Sequence, residues 1–336
     1  MSLDLSQEAP IAVAAVRAAS RVCRSVQHRL VEGQTLEKSD KSPVTIADFA
    51  SQAIALSLLQ ASSTVPRCVG EEDASALRGG EAAPLLAGVV EHARTELGES
   101  ASETAVLDAI DLGNHEPHDP LGEVYWTLDP IDGTKGFLRG EQYAVALGLI
   151  DSGRVVLGVL GCPNLDIEGV AGPGCVVLAT RDGGAVALPL SGESLEGRAV
   201  RVSSEAEASA CRFVEWVESG DSDQSRSQAV AKALGMSVEP YRIDSQCKYA
   251  AVADGLAEVY LRLPTRKGYQ EKIWDHAAGM IVVEEAGGTV TDVHGQPLDF
   301  TRGKTLAANA GIIATHGPLH DRVVAAVRDA NAAASE

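Results

Sequence analysis

Apolar residues near the N-terminus recur every three or four positions, the spacing that places side chains on one face of a helix. This pattern predicts an amphipathic helix over residues 9–32 and a second helix over residues 47–60. Further helical patterns follow near residues 82–97 and 103–111. The first third of the chain is therefore expected to be largely helical.

From about residue 120 the pattern changes to apolar runs that are typical of buried strands. "VYWTLDPIDGT" is one such run, and it contains two acidic residues near its end. "YAVALGLID" and "RVVLGVLGCP" flank Ser-Gly, while "CVVLAT" and "GAVALPL" flank Arg-Asp-Gly-Gly. Apolar runs on either side of a short polar turn predict two antiparallel hairpins.

The polar stretch "SGESLEGRAV" after Leu190 marks a candidate boundary between an N-terminal lobe, residues 1–190, and a C-terminal lobe, residues 191–336. Beyond it, segments with helical and strand patterns alternate. Helices are predicted near residues 224–235, 246–254 and 274–286 and at the C-terminal tail, and strands at "YRIDSQ", "AEVYLRL", 289–293 and 311–315. Such alternation predicts an α/β lobe. The whole chain is therefore expected to be α/β, with an α+β first lobe.

The net charge of −19 restricts the partners of the protein. Nucleic-acid polymers and anionic membranes both require basic surfaces. No segment approaches the roughly 18 uninterrupted apolar residues of a membrane helix. A small anionic substrate fits only if its site supplies local positive charge, and bound metal ions are one source of that charge.

The cysteines and histidines do not have the spacing of a zinc site, and the cysteines are not arranged as a disulfide framework. The six cysteines are scattered without a CxxC pair, so reduced thiols in an intracellular protein are expected. His115 and His118 lie in a polar, proline-rich loop and are expected to be solvated. The segment from Ala9 to Val31 has four arginines and no acid, as organellar leaders do. Its helical spacing favours a structural helix, so a cytoplasmic protein is expected, with an organelle as the alternative.

Acidic residues stand at the ends of several apolar segments. They are Asp48 in "PVTIAD", Glu71 in "VGEED", Asp129 and Asp132 in "TLDPIDGT", and Asp275 in "IWDHAAG". Each has an ordinary explanation, such as a turn, a helix cap or a solvated loop. Buried carboxylates close together repel one another unless one is protonated or a cation is bound. The number of acids at the ends of these segments favours a metal site that they share. Because the ligands would be carboxylate oxygens, the expected ion is Mg²⁺.

Gly133 and Thr134 directly follow Asp132. If a helix begins there, its first N–H groups would face whatever the metal ions hold, and helix N-termini bind phosphate. Carboxylates, metal ions and free amides together are typical of phosphoryl transfer to water. A GxxxxGK[ST] loop is absent, which argues against an NTPase of that type.

Four segments resemble the signature segments of the lithium-sensitive, metal-dependent phosphatase superfamily, which includes inositol monophosphatase and fructose-1,6-bisphosphatase. They are "DKSPVTIAD", "VGEED", "WTLDPIDGTKGF" and "WDHAAGMIVVEEAGG", in this order. The resemblance spans nearly the whole chain. It implies a layered αβαβα fold of two lobes, with the active site between them.

Within this superfamily, other segments are similar to the 3′(2′),5′-bisphosphate nucleotidase branch. They are "IDSQCKY", "EVYLRLP", "GYQEKIWDHAAG" and the dipeptide Lys135-Gly136. The resemblance implies Mg²⁺-dependent removal of the 3′-phosphate of adenosine 3′,5′-bisphosphate, and action on its sulfated analogue. It implies a small-molecule nucleotide as the partner of an enzyme that we expect to be monomeric.

The resemblance also implies a set of metal ligands. Glu71, Asp129 and the backbone carbonyl of Ile131 would hold one Mg²⁺. Asp129, Asp132 and Asp275 would hold a second, and a third would bind Glu71 through water.

The same resemblance assigns roles in the reaction. Thr134, paired with Asp48, would accept the proton of the attacking water. The substrate contacts would be Gly133, Thr134, Ser245, Lys248, Arg262 and Asp275. Two alternatives stay open, an inositol-phosphate phosphatase and a non-catalytic nucleotide-sensing protein.

One departure concerns "SGDSDQS" at residues 219–225, which lacks the histidines that nucleotidases of this branch carry there. We expect weaker nucleotide affinity as a result, with the chemistry intact. Replacing Asp221 or Gln224 with histidine would then lower KM for the nucleotide.

Overall fold

A computed structural model of the chain describes residues 3–28, 35–37, 43–218, 224–264, 266 and 268–333. The helices of these residues are α1 (Leu5–His28), α2 (Ile46–Ser62), α3 (Ala83–Leu97), α4 (Glu103–Asp111), α5 (Thr134–Leu138), α6 (Gln224–Leu234), α7 (Cys247–Ala253), α8 (Ala277–Glu285) and α9 (His320–Ala333). The first strands are β1 (Thr35–Glu37), β2 (Pro43–Thr45), β3 (Cys68–Gly70), β4 (Val124–Asp132), β5 (Ala144–Asp151), β6 (Arg154–Cys162) and β7 (Cys175–Thr180). The later strands are β8 (Gly184–Pro189), β9 (Arg198–Val200), β10 (Phe213–Glu215), β11 (Tyr241–Arg242), β12 (Val259–Arg262), β13 (Thr289–Thr291) and β14 (Ile312–Thr315).

Two sheets organise the chain, beside a β1–β2 hairpin. The first has seven strands in the order β3-β4-β5-β6-β7-β8-β9 and is antiparallel except where β3 and β4 pair in parallel. The second has five strands in the order β11-β10-β12-β14-β13, with β10 parallel to both of its neighbours. Both predicted hairpins are confirmed as β5–β6 and β7–β8. Because β9 pairs with β8, the first sheet continues past residue 190 to Val200.

Side chains alternate along the strands, so helices cover both faces of each sheet, and α7 and α8 form one layer that the two sheets share. On β4, Trp126 packs with the helices of the N-terminal third, while Tyr125 packs with α7 and α8. On β12, Tyr260 faces α7 and α8, while Val259 packs with α6 and α9. The layers therefore run α, β, α, β, α, which confirms the expected fold. Burial on both faces explains why the strands read as continuous apolar runs.

Several element boundaries differ from the predicted ones. The continuation of the first helix to residue 32 lies outside the described residues. The helix predicted over residues 274–286 is interrupted, because Ile273–Asp275 forms a 3₁₀ turn and α8 begins only at Ala277. His276 separates them with φ −137° and ψ −28°. The solvation expected for His115 is wrong, since its ring is hydrogen-bonded to Glu123 at 2.8 Å and half-buried, whereas His118 is exposed.

Among the described residues, none of the helices combines the length and the apolar character needed to span a membrane.

Gly279 lies in α8 where the ring of Tyr249 packs directly on the helix. A methyl group there would lie 2.1 Å from Tyr249 Cδ2, and the Tyr249 hydroxyl is hydrogen-bonded to His276 Nδ1 at 2.8 Å. We expect Gly279→Ala to lower the free energy of unfolding by about 1–3 kcal/mol, the usual cost of overpacking. Chemical denaturation measures this change.

Gly88→Ala in α3 is the matched control. Its methyl group would meet the end of the Ile46 side chain, 2.7 Å from Cδ1, and that end can rotate away. The gain in helix propensity, about 1 kcal/mol, should then make Gly88→Ala neutral or stabilising. Equal losses in the two variants would contradict the packing argument.

Candidate active site

A bulge at the end of β4 presents the two closely spaced aspartates. Asp129 pairs with Ala146 and Asp132 with Ala144, so three steps along β4 correspond to two along β5. Bulges bend a strand and re-aim its side chains. The Ile131 N–H donates to Asp129 Oδ1 at 3.1 Å, which fixes the turn around Pro130. The spacing of the two acids in the sequence therefore encodes a bulge that directs both carboxylates into one cavity.

The chain turns sharply after the bulge into the short helix α5. Gly133 has φ 90°, a left-handed conformation that glycine adopts at little cost. A Cβ at this position would lie 2.8 Å from Ser245 Cβ, so the predicted substrate residue Ser245 lies directly against Gly133. Ser245 itself is 1% exposed. The Thr134 hydroxyl donates to the carbonyl of Ile131 at 3.3 Å.

Helix α2 holds the acidic segments in place from one side. Gln52 is the main link, because its Nε2 donates to the carbonyls of Glu72 and Ile110, and its Oε1 accepts from the Glu72 N–H. The Ser51 hydroxyl donates to the Pro130 carbonyl at 2.9 Å. The first turn of α2 contains Asp48, which is 1% exposed. The sequence reading missed Gln52, which has no signal of its own in an apolar helix.

A cavity of about 380 Å³ opens at this point between the two sheets. Its acidic lining is Glu71, Asp129, Asp132, Glu218, Asp244 and Asp275. Its basic lining is Lys135, Arg139, Arg262 and Lys272, and its aromatic lining is Trp216, Tyr269 and Trp274. Ile131, Gly133, Thr134 and Gly136 complete it. The predicted metal ligands thus converge on one cavity, together with Thr134 and Arg262, whereas Asp48, Ser245 and Lys248 lie behind its wall.

The pKa values of two carboxylates in the cavity are raised. Withdrawal from water raises the pKa of Asp132 to about 6, although Lys248 and Arg262 act in the opposite direction. Burial likewise raises the pKa of Asp275 well above its usual value. Six carboxylates line this cavity together with four cationic side chains, and carboxylate oxygens are the donors that a hard divalent cation prefers. The side chains present therefore fit a metal ion of this kind.

Arg262 is fixed from behind by a buried network. Its Nε lies 2.8 Å from Glu271 Oε2, and its Nη2 lies 3.8 Å from Asp275 Oδ2. His276 Nε2 is hydrogen-bonded to Glu271 at 3.2 Å and its Nδ1 to the Tyr249 hydroxyl. Glu271, Asp275 and His276 also have ligand atoms within 4.8 Å of one another. Arg262 supplies positive charge to this group of side chains.

Arg139 joins the two halves of the chain at the cavity rim. It forms ion pairs with Glu141, Glu218 and Asp244. Asp244 also accepts a hydrogen bond from the Val217 N–H at 3.2 Å. Sequence reasoning missed Arg139, because Glu218 and Asp244 lie 79 and 105 residues away along the chain. The sequence 219–223 that follows Glu218 lies outside the described residues, as does the side chain of Gln224.

Lys248, an expected substrate contact, is enclosed by aromatic rings. Its Nζ lies 3.1 Å from the centroid of the Trp216 ring and 5.4 Å from that of Tyr260. Its side chain has no exposed surface. Burial lowers the pKa of Lys248 to about 7, with Asp132 and Asp244 opposing. Its contact with substrate stays a prediction.

The layered αβαβα fold, with a carboxylate-lined cavity between its two sheets, is the arrangement expected of the metal-dependent phosphatases that the sequence resembles. A model of the Inositol monophosphatase family matches residues 4–332. The chain therefore belongs to the inositol monophosphatase family.

Curated relatives support a closer relationship within the family. The chain is 41% identical to a 3′(2′),5′-bisphosphate nucleotidase of Emericella nidulans, over 97% of this chain and 99% of the relative. It is also 41% identical to one of Schizosaccharomyces pombe, over 97% of this chain and 96% of the relative. Among solved structures, the Thermotoga maritima IMPase matches with a TM-score of 0.65 and 21% identity, over 95% of each chain. That similarity concerns the fold alone.

Proposed function

We propose that the protein is a Mg²⁺-dependent phosphatase that removes the 3′-phosphate of adenosine 3′,5′-bisphosphate, giving AMP and phosphate, and that also acts on the sulfated analogue. The observation that carries the proposal is the 41% identity to nucleotidases over almost the full length of both chains. A cavity with a carboxylate floor and four cationic side chains agrees with it. We further propose a monomer that acts in the cytoplasm.

The metal ions would be held by the carboxylates of Glu71, Asp129, Asp132 and Asp275 and by the Ile131 carbonyl, at up to three positions. When bound, Mg²⁺ supplies a water of lowered pKa and neutralises charge on the transferring phosphoryl group. The bulge in β4 orients two of these carboxylates before any ion arrives, so little reorganisation is needed.

The remaining steps belong to the side chains around the metal ligands. Thr134 Oγ1 would accept the proton of the attacking water while its own hydroxyl proton passes to the carboxylate of Asp48, its predicted partner. The N–H groups after Gly133 would donate to the phosphate oxygens. Arg262, fixed by Glu271, would face an anionic part of the nucleotide, and a fixed guanidinium loses little side-chain entropy when it binds.

A substrate panel tests the proposal. Purified protein with Mg²⁺ should release phosphate from adenosine 3′,5′-bisphosphate at a higher kcat/KM than from inositol 1-phosphate. Chelation with EDTA should abolish the release. Lithium at roughly sub-millimolar to millimolar concentration should inhibit, since a small cation competes at oxygen ligands.

A preference for inositol phosphate in this panel would favour the inositol-phosphate phosphatase instead. Tight nucleotide binding without any phosphate release would favour the nucleotide-sensing protein. Activity that persists in EDTA would contradict the role of the metal ions.

A further inference from the structure

Gln246 is a buried residue immediately before α7, in the segment "IDSQCKY", and the proposed reaction gives it no role. It is 1% exposed. Ser245 before it has φ 68°, a left-handed conformation that residues other than glycine seldom adopt. The Ser245 hydroxyl accepts the Cys247 N–H at 3.1 Å, which fixes this turn. From the turn, the backbone N–H of Gln246 donates a hydrogen bond to the carboxylate of Asp132.

The side chain of Gln246 holds the chain on both sides of Asp275. Its Nε2 donates to the Trp274 carbonyl at 2.9 Å, and its Oε1 accepts the Gly279 N–H at 3.2 Å. The Trp274 carbonyl belongs to the peptide group that joins Trp274 to Asp275. One side-chain amide therefore connects the backbone next to Asp275 with the first turn of α8.

These two hydrogen bonds compensate for the interruption of the chain at His276. The first N–H groups of a helix lack the acceptors that a preceding turn would supply. His276 stands before α8 without a side-chain cap, and Gln246 accepts one of these N–H groups from 33 residues away. A buried backbone group that loses its partner is costly to leave unpaired. The position of Asp275 therefore depends on the amide of Gln246.

We propose that Gln246 is a positioning residue that sets the separation of the Asp132 and Asp275 carboxylates for a Mg²⁺ ion that both would hold. The inference rests on the metal site of the proposed function, and it does not depend on which phosphate ester is the substrate. Asp132 ends β4 and Asp275 precedes α8, so the two ligands come from different layers of the fold. Gln246 bonds to one through its backbone and fixes the other through its side chain.

Calorimetric titration with Mg²⁺, without substrate, tests the proposal. Gln246→Met has a side chain of similar length that can form neither hydrogen bond. Loss of a residue that orients metal ligands typically costs about 10–100-fold in metal affinity. We therefore expect at least one Mg²⁺ ion to bind about tenfold or more weakly in Gln246→Met than in the wild type.

Asn309→Leu is the matched control. Asn309 Nδ2 donates to the Pro297 carbonyl at 3.0 Å, and its Oδ1 accepts the Asp299 N–H at 2.8 Å. This amide also joins two backbone segments, but Asn309 is not among the described residues that line the cavity. The Mg²⁺ affinity of Asn309→Leu should stay within about twofold of the wild-type value, as expected for a distant site.

Thermal denaturation separates a positioning role from a purely structural one. Gln246→Met and Asn309→Leu should both have a lower Tm than the wild type in EDTA, since each loses buried or half-buried hydrogen bonds. A ligand raises Tm according to its affinity for the folded protein. Added Mg²⁺ should therefore raise the Tm of Gln246→Met less than that of the wild type or of Asn309→Leu. An equal rise in all three proteins would overturn the proposal, as would an unchanged Mg²⁺ affinity.

Gln246→Asn provides the same test if Gln246→Met does not fold. Its amide stands on a shorter stem, so it can reach only one of the two backbone groups. Its Mg²⁺ affinity should lie between those of the wild type and Gln246→Met. Wild-type Mg²⁺ affinity in Gln246→Asn, with Gln246→Met unfolded, would overturn the proposal.

Phosphate release from adenosine 3′,5′-bisphosphate distinguishes this inference from the proposed function. The Mg²⁺ concentration at half-maximal rate should rise about tenfold or more in Gln246→Met, and saturating Mg²⁺ should restore most of kcat. A lower kcat with an unchanged Mg²⁺ requirement would overturn the inference. If the wild type releases no phosphate but binds Mg²⁺ more tightly than Gln246→Met, the proposed function fails and the inference stands. Absence of Mg²⁺ binding by the wild type would overturn both.

Discussion

Asp132→Asn is expected to lower kcat at least about 100-fold, which corresponds to about 2.7 kcal/mol in the activation barrier. Asp132 ends the bulged strand β4 and faces the cavity beside Glu71, Asp129 and Asp275. Asparagine keeps the shape but removes the charge that would hold a divalent cation. The measurement is phosphate release at saturating Mg²⁺. More than about a tenth of wild-type kcat would contradict the ligand assignment, because a tenfold loss is only about 1.4 kcal/mol.

Stability measurements distinguish a lost ligand from a lost fold. Burial raises the pKa of Asp132 above its ordinary 3.8, to about 6. Without metal, the wild type therefore loses stability as the pH rises from about 4 through 6. Asp132→Asn lacks this loss, so in EDTA at pH 8 it should melt no lower than the wild type. Asp321→Asn, at an exposed position in α9, is the control for the charge change alone.

Arg262→Met is expected to lower the free energy of unfolding by about 3–5 kcal/mol at pH 7, because it leaves a buried carboxylate without its cation. Glu271 is only 4% exposed and lies 2.8 Å from Arg262. Burial by itself raises the pKa of Glu271, but Arg262 and His276 outweigh it and lower this pKa to about 2. Chemical denaturation of the wild type and the variant measures the loss.

The free energy of unfolding that Arg262→Met loses should be larger at neutral pH than at acidic pH. In the wild type, the pKa of Glu271 is below its ordinary 4.5, so its ionisation stabilises the fold above about pH 4.5 and this contribution disappears as the pH falls through about 2. In Arg262→Met, burial raises the pKa, and the ionised carboxylate opposes folding at neutral pH. The difference between the two proteins should therefore be largest near pH 7 and should shrink towards pH 4.

Two further variants make this prediction specific. Arg262→Met combined with Glu271→Gln should recover much of the stability, since no buried charge is left alone. Arg302→Met removes the cation of a surface pair with Asp299, where the arginine side chain is 59% exposed, and should cost less than about 1 kcal/mol. A loss in Arg262→Met that does not vary with pH would argue against an unpaired Glu271.

The order of the elements and the family could be predicted from the sequence, because both are encoded locally. Each central strand is buried on both faces, so it reads as an apolar run such as "CVVLAT". The acids of "WTLDPIDGT" and "WDHAAG" lie in short motifs that need no knowledge of distant contacts. The resemblance drawn from them is confirmed by the family match over residues 4–332.

The surroundings of these motifs could not be predicted, because they depend on how the two sheets meet. Nothing near Lys248 in the chain indicates that Trp216 covers it, since 32 residues separate the two positions. Arg139 has no pattern that identifies Asp244 as its partner. The interruption at His276 follows from its contacts with Tyr249 and Glu271, and not from helix propensity. Such side-chain pairs are specified only once the layers are assembled.

The middle layer of helices has a consequence for how the chain can fold. Helix α8 packs on β5 and β6 of the first sheet and on β13 and β14 of the second. It approaches the first sheet so closely that a Cβ at Gly158 would lie 2.8 Å from the Ala278 carbonyl. One face of each sheet is thus completed by the same short helix, which comes late in the chain. The N-terminal half therefore cannot finish its interior until α8 has been synthesised, so most of the polypeptide has to emerge before a stable structure forms.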